Sequence, residues 1–177
     1  MHPLTNILLF QSGWLACVLG GAHDLWVPGV GIALAIVAWH LMRAPRPWQE
    51  ARLIGVIAPL GYLWDSALVG GGWFVYAHGN VAPGLAPLWI LAMWMLFPIT
   101  LNASLRWLKQ HLRLAAVFGA VGGPLAYYAG ARLGAVDLPD TAAALLLQGF
   151  GWAVLMPLSL VLAQRFDGLR PLRTEAA

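Results

Sequence analysis

Residues 53–72, LIGVIAPLGYLWDSALVGGG, are long and apolar enough to cross a bilayer, yet they carry a carboxylate, Asp65. A spanning helix needs roughly 20 mostly apolar residues, and an aspartate near its centre costs about 2.5–3.5 kcal/mol on insertion scales. Such a residue has an internal partner or a task. Few other charges of this chain could sit at comparable depth.

The rest of the composition agrees with a membrane environment. Of the 177 residues 60% are hydrophobic and 10% charged, where a soluble domain is about a quarter charged. The length suits one compact domain, 1–177, with no soluble module beside it. Lys and Arg are scattered singly between apolar runs, which argues against nucleic-acid binding. The single cysteine, Cys17, excludes an intramolecular disulfide and reads as a small packing residue. The first 21 residues lack the basic flank of a signal peptide and read as a retained first span.

Six apolar segments follow, at about 4–22, 27–42, 53–72, 88–108, 112–133 and 141–164. The second is closed by the breaker Arg43–Pro47. The aromatic, Gly-rich stretch from Gly70 to Pro87 reads as an interfacial loop. With six spans, Arg43, Arg46, Arg52, Arg106, Lys109, Arg113, Arg165, Arg170 and Arg173 share one side and Arg132 alone lies opposite. This positive-inside bias puts both termini in the cytoplasm. The expected fold is therefore all-α: a polytopic transmembrane bundle of six spans.

Pro59, Pro98, Pro124 and Pro157 lie inside these segments and can kink them. Gly119, Gly123, Ala126 and Gly130 share one face of the fifth segment. Asn6, Gly13, Cys17, Gly20 and Asp24 share one face of the first. Small residues let helices approach closely, so both stripes read as packing faces. Gly123 and Gly130 should not tolerate leucine, whereas Gly79, in the loop, should.

At 1.5 Å per residue the intramembrane polar groups fall into two layers. The outer layer holds Asp65, Tyr127, Tyr128 and Gln148, with Arg132 one turn above Tyr128. The inner layer holds Asn6, Gln11, Thr100, Asn102 and Ser104, with His40 near the surface. Thr100 and Ser104 read first as bonding back to their own helix carbonyls. Asn6, Gln11 and Asn102 read as interhelical hydrogen bonders, and His40 as an interface residue. Asp65, Tyr127 and Tyr128 are the catalytic candidates if the protein is an enzyme. Asn6, Gln11, Thr100, Asn102, Ser104, Gln148 and Arg132 are the candidates for a polar interior or substrate site. His23 and Asp24 lack further spaced ligands, so no metal is expected, and no cofactor is implied. No GxSxG, HExxH, CxxC or P-loop motif occurs.

Several stretches resemble an uncharacterised family of small bacterial inner-membrane proteins. They are Asn6–Trp14 (NILLFQSGW), Asp65–Ser66, Pro87–Trp89, Thr100–Leu108 (TLNASLRWL), Gly122–Tyr127 (GGPLAY) and Gly130–Ala135 (GARLGA). The resemblance covers nearly the whole chain and implies the multi-pass topology. It also implies a genomic neighbourhood of fatty-acid cyclopropanation and related lipid-modification genes, and so a role near lipid metabolism. It brings no catalytic residues with it. Three readings follow. The first is a membrane-embedded enzyme or accessory factor acting on lipid, with membrane lipids and a lipid-modifying enzyme as partners. The second is a small transporter with a proton- or cation-sensitive Asp65. The third is a scaffold for a partner enzyme.

Overall fold

The computed structural model describes residues 2–170, and they fold as one helical bundle. The helices are α1 (Pro3–Ala22), α2 (Trp26–Arg43), α3 (Pro47–Gly70), α4 (Leu88–Leu96), α5 (Pro98–Leu101), α6 (Leu112–Arg132) and α7 (Thr141–Arg165). A 3-10 turn at Arg106–Gln110 precedes α6. Five of them, α1, α2, α3, α6 and α7, are long and apolar enough to cross a membrane.

Local chemistry sets several of the ends. Pro3 and Pro47 occupy first-turn positions, where no backbone donor is needed. Asp140 caps α7 by accepting from the Ala143 amide. Pro47 thus opens α3 where the sequence suggested only a breaker. The helix starts six residues before the expected span and takes Glu50 into its first turn.

The fourth segment departs from expectation. The sequence predicts one span over 88–108, but helix stops at Leu101, with a joint at Phe97–Pro98 and turns from Asn102 to Leu105. Pro98 has no N–H for the preceding turn. Beyond it, Asn102, Ser104 and Arg106 spend their polar groups on partners from other helices or on local carbonyls. The helical run Leu88–Leu101 measures about 21 Å, short of the roughly 30 Å hydrocarbon core.

The six segments alternate in direction. At the basic end, the last turn of α2 meets the first of α3 through His40 and Glu50. Asn102, after α5, joins them to the end of α7. At the other end, the loop between α3 and α4 pairs with the α6–α7 connection through Val75 and Asp137, which exchange two backbone hydrogen bonds.

Close approach follows the small residues, though not at every expected position. A Cβ on Gly29 would lie 2.5 Å from the Ala16 carbonyl oxygen, which sets how tightly α1 and α2 pack. On α6, a Cβ on Gly119 would lie 2.2 Å from the Trp152 carbonyl oxygen, and one on Gly123 would lie 2.4 Å from the Trp152 ring. Gly130 has room, its nearest neighbour being Val136 at 3.9 Å, so it does not belong to the tight face. Gly79 is the reverse correction. It has φ +82° and a Cβ there would come 2.8 Å from the Trp89 ring, so the loop needs glycine at this point.

Candidate functional site

The outer polar layer is a closed knot around Asp65. The carboxylate is fully buried. Its Oδ2 accepts from the Trp94 indole N–H and from the Tyr127 hydroxyl, each at 2.6 Å. Oδ1 accepts from the Gln148 amide at 3.1 Å. Gln148 is held in turn because its Oε1 accepts from the Trp64 indole at 2.7 Å. Two glycines admit the indoles: Trp94 lies over Gly61, and Trp64 over Gly151, where a Cβ would fall within 2.3 Å of the ring. Three neutral donors meet one carboxylate, with no cation among its hydrogen-bond partners.

The α3–α4 loop closes this knot from the outer side. Tyr62, one turn before Asp65, donates to the Ala86 carbonyl, and Ser66 accepts from the Ala86 amide. Phe74 stacks on Tyr127 at 5.2 Å between ring centroids. Tyr76 is buried beside them, and that burial, with the Asp65 carboxylate nearby, pushes its phenol well above the ordinary range. A stretch read as interfacial is therefore partly a lid, with Phe74, Tyr76 and Ala86 all buried.

The inner layer is ionic. Glu50 is buried, with Oε2 at 2.8 Å from His40 Nε2. Its Oε1 accepts from the Asn102 amide at 2.7 Å and from the Gly168 backbone N–H at 2.8 Å. Lys109 donates to Asn102 Oδ1, to the Ala163 carbonyl and to Asp167. Arg106 donates to the other oxygen of Asp167 at 2.8 Å. Burial holds the Lys109 ammonium below the usual lysine range, against the pull of Asp167. His40, read as a surface residue, is instead fully enclosed. Ser104, read as bonding back along its own helix, donates to Asn6 Oδ1 at 2.6 Å, and Asn6 donates to the Ile99 carbonyl. Thr100 does bond back, to the Phe97 carbonyl.

Between these layers α1 and α6 stand apart and leave a cleft. It comprises two hollows of about 340 and 360 Å³ that share Phe10, Gln11, Phe97, Ala126 and Trp152. The upper hollow reaches Trp94 and Tyr127, and the lower reaches Thr100 and Ser104. Trp152 stacks on Trp94 at 5.0 Å and meets Phe97 edge-on, so the floor is aromatic. Ile7, Gln11, Phe118 and Leu125 on its rims are exposed.

Among the outer-layer candidates, Asp65, Tyr127 and Gln148 are brought together. Tyr128 and Arg132 are exposed and lie outside the knot. Of the inner candidates, Asn6, Asn102, Thr100 and Ser104 are tied into the bundle, whereas Gln11 opens onto the cleft and makes no hydrogen bond among the described residues. Sequence reasoning missed Trp94, Trp64, Glu50, Lys109 and Asp167. Tryptophan is apolar by composition, and a residue at a helix end gives no sign that the next segment will bury it. The available hint was a glycine one turn from Asp65, at Gly61, with room for a ring. Among the described residues no group of three metal-binding side chains comes together.

The chain belongs to a family described as a protein of unknown function (DUF2878), whose profile matches residues 3–158. No curated protein and no solved structure is significantly similar to it.

Proposed function

We propose that this DUF2878 member is a bacterial inner-membrane protein of six segments, both termini cytoplasmic, that holds a lipid acyl chain in the α1/α6 cleft. It would do so as an accessory factor in membrane-lipid metabolism. The observation that carries this reading is the cleft itself. Its floor and walls are mostly apolar, its rims are exposed, and in a bilayer hydrocarbon rather than water adjoins such a surface. Each hollow has the volume of a small-ligand site. The cleft runs about 16 Å along α6 from Phe118 to Ala129, and its upper end rests on Tyr127 and Trp94, which the Asp65 knot holds rigid. Asp65 in this view positions the wall of the site.

The transporter reading has less support, because Asp65 is enclosed by Trp94, Tyr127, Gln148 and the loop above. The six-segment topology draws on the alternating helix directions and on the basic residues gathered at one end.

The test is the lipid that co-purifies with the protein, measured by mass spectrometry, for the natural chain and for Gly122→Leu. Gly122 lines the lower hollow and a Cβ there meets nothing within 4 Å. Leucine should therefore fill the cleft without disturbing the fold, and should remove most of the bound lipid. Equal lipid content in a folded Gly122→Leu protein sinks the reading. Deleting the gene should also change the acyl composition of the cell membrane. For topology, a reporter active only in the periplasm and fused after Ala177 should be silent, and a cytoplasmic one bright; the reverse pattern overturns the orientation.

A further inference from the structure

We infer that the chain held in the cleft carries a neutral oxygen function near its middle, read by the side-chain amide of Gln11. This rests on the cleft being a lipid site, as proposed above.

The argument starts from depth. Gln11 is eight residues into α1, about 12 Å from Pro3, and so close to the midplane of a hydrocarbon core about 30 Å thick. An amide at that depth facing hydrocarbon has no water to bond. Leaving one without partners in an alkane-like medium is costly, because nothing there replaces the hydrogen bonds of water. Gln11 is exposed on the rim of both hollows and has no hydrogen-bond partner among the described residues.

The other polar groups along the cleft are already engaged. Tyr127 and Trp94 donate to Asp65, Thr100 to the Phe97 carbonyl, and Ser104 to Asn6. One donor faces the upper hollow without a partner: the indole N–H of Trp14, one turn beyond Gln11 on α1, makes no hydrogen bond among the described residues, whereas the unpaired Trp152 indole N–H is enclosed and does not open onto the cleft. The Gln11 amide and the Trp14 indole N–H, three residues apart on α1 and both lining the upper hollow, ask for a hydrogen-bond acceptor. Among the described residues no charged side chain lines either hollow, so a carboxylate or phosphate would lie there uncompensated. A hydroxyl, keto or ether oxygen fits. The ester and headgroup of an ordinary lipid sit at the interface, too far from Gln11, so the oxygen belongs to the chain itself.

A helix of a second copy could also satisfy a lipid-facing glutamine. The shape disfavours it. A helix with side chains is about 10–12 Å across, whereas the cleft is two hollows of 340 and 360 Å³ between helices that belong to one bundle.

The experiment uses the full chain in detergent micelles with two probes: an octadecanoyl chain bearing a mid-chain hydroxyl, and the same chain without it. The natural protein should bind the hydroxylated probe about three- to tenfold more tightly, the worth of one intramembrane hydrogen bond. Gln11→Leu should bind both probes equally, and Gly122→Leu neither. Equal binding of the two probes by the natural protein overturns the inference while leaving the cleft as a lipid site. So does a preference that survives in Gln11→Leu, or a cross-linked dimer that Gln11→Leu abolishes. Binding of neither probe by the natural protein takes down this inference and the lipid reading together.

Discussion

Two carboxylates on α3, Asp65 and Glu50, are both fully enclosed and solve the same problem differently. Asp65, in the outer half, meets an indole, a phenol hydroxyl and an amide. Glu50, at the basic end of α3, meets a histidine, an amide and a backbone N–H, and through Asn102 it joins a network with Lys109, Arg106 and Asp167. The difference follows depth. Deep in the bundle a cation would bring its own desolvation cost, and neutral donors supply the hydrogen bonds without it. Near the helix ends the charges pair with one another: Arg106 reaches the surface, and the buried Lys109 is held against Asp167. The first arrangement ties four helices, α3, α4, α6 and α7, around one atom pair. The second fastens the segment after α7 beneath α3.

The comparison breaks most visibly at Glu50. Glu50→Leu leaves His40, the Gly168 amide and one N–H of Asn102 without their acceptor, and should cost about 3–5 kcal/mol of stability. Thermal unfolding in detergent measures it. The residues after α7 should also become more accessible to protease, since Gly168 loses its anchor. A loss below about 1 kcal/mol would mean that the ionic layer is solvated in place.

Asp65→Leu should cost somewhat less, about 3 kcal/mol, from three orphaned neutral donors at the low end of their individual cost. Asp65→Asn sharpens the point. Its oxygen can still accept from Trp94 and Tyr127, but its NH₂ would face the Gln148 NH₂. Gln148 must flip, and Trp64 then loses its acceptor. The single variant should therefore lose about 1 kcal/mol. Adding Asp65→Asn to Trp64→Phe should cost almost nothing further, because the flipped Gln148 then abandons no donor. Additivity in that double-mutant cycle would contradict the chain Trp64–Gln148–Asp65.

The smallest contrast lies on α6. Gly119→Leu pushes a side chain into the Trp152 carbonyl and should cost about 1–3 kcal/mol, whereas Gly122→Leu, at an exposed position, should unfold within about 0.5 kcal/mol of the natural protein. Equal damage at Gly122 would place it on the helix–helix face, and the α1/α6 cleft would be narrower than described.

These contrasts also mark how much of the site was legible beforehand. The polar layers could be placed from rise per residue, since depth along a helix is a one-dimensional quantity. Which of two adjacent tyrosines met Asp65 could not be read, because Tyr127 and Tyr128 share a depth and differ only in azimuth. Gly130 satisfied the stripe rule and still had room, since the spacing of small residues says where helices can approach and not where they do. Gly79 looked like an ordinary loop glycine until Trp89 was seen against it.

By itself the sequence determined the class of the molecule: an all-helical membrane-type chain with apolar segments of bilayer length, basic residues toward one end, and a carboxylate that had to be internally bonded. Those conclusions rest on local quantities, namely transfer cost, helical rise and charge per segment. Tertiary structure decided the rest. It selected Trp94 and Trp64 as partners through the gaps at Gly61 and Gly151. It buried Glu50 and His40 by folding the end of α7 back over them, broke the fourth segment at Pro98, and opened the cleft beside Gln11. Each of these depends on which side chain lies across from which in another helix, and interhelical register and rotation are set by packing over the whole bundle rather than by any one segment.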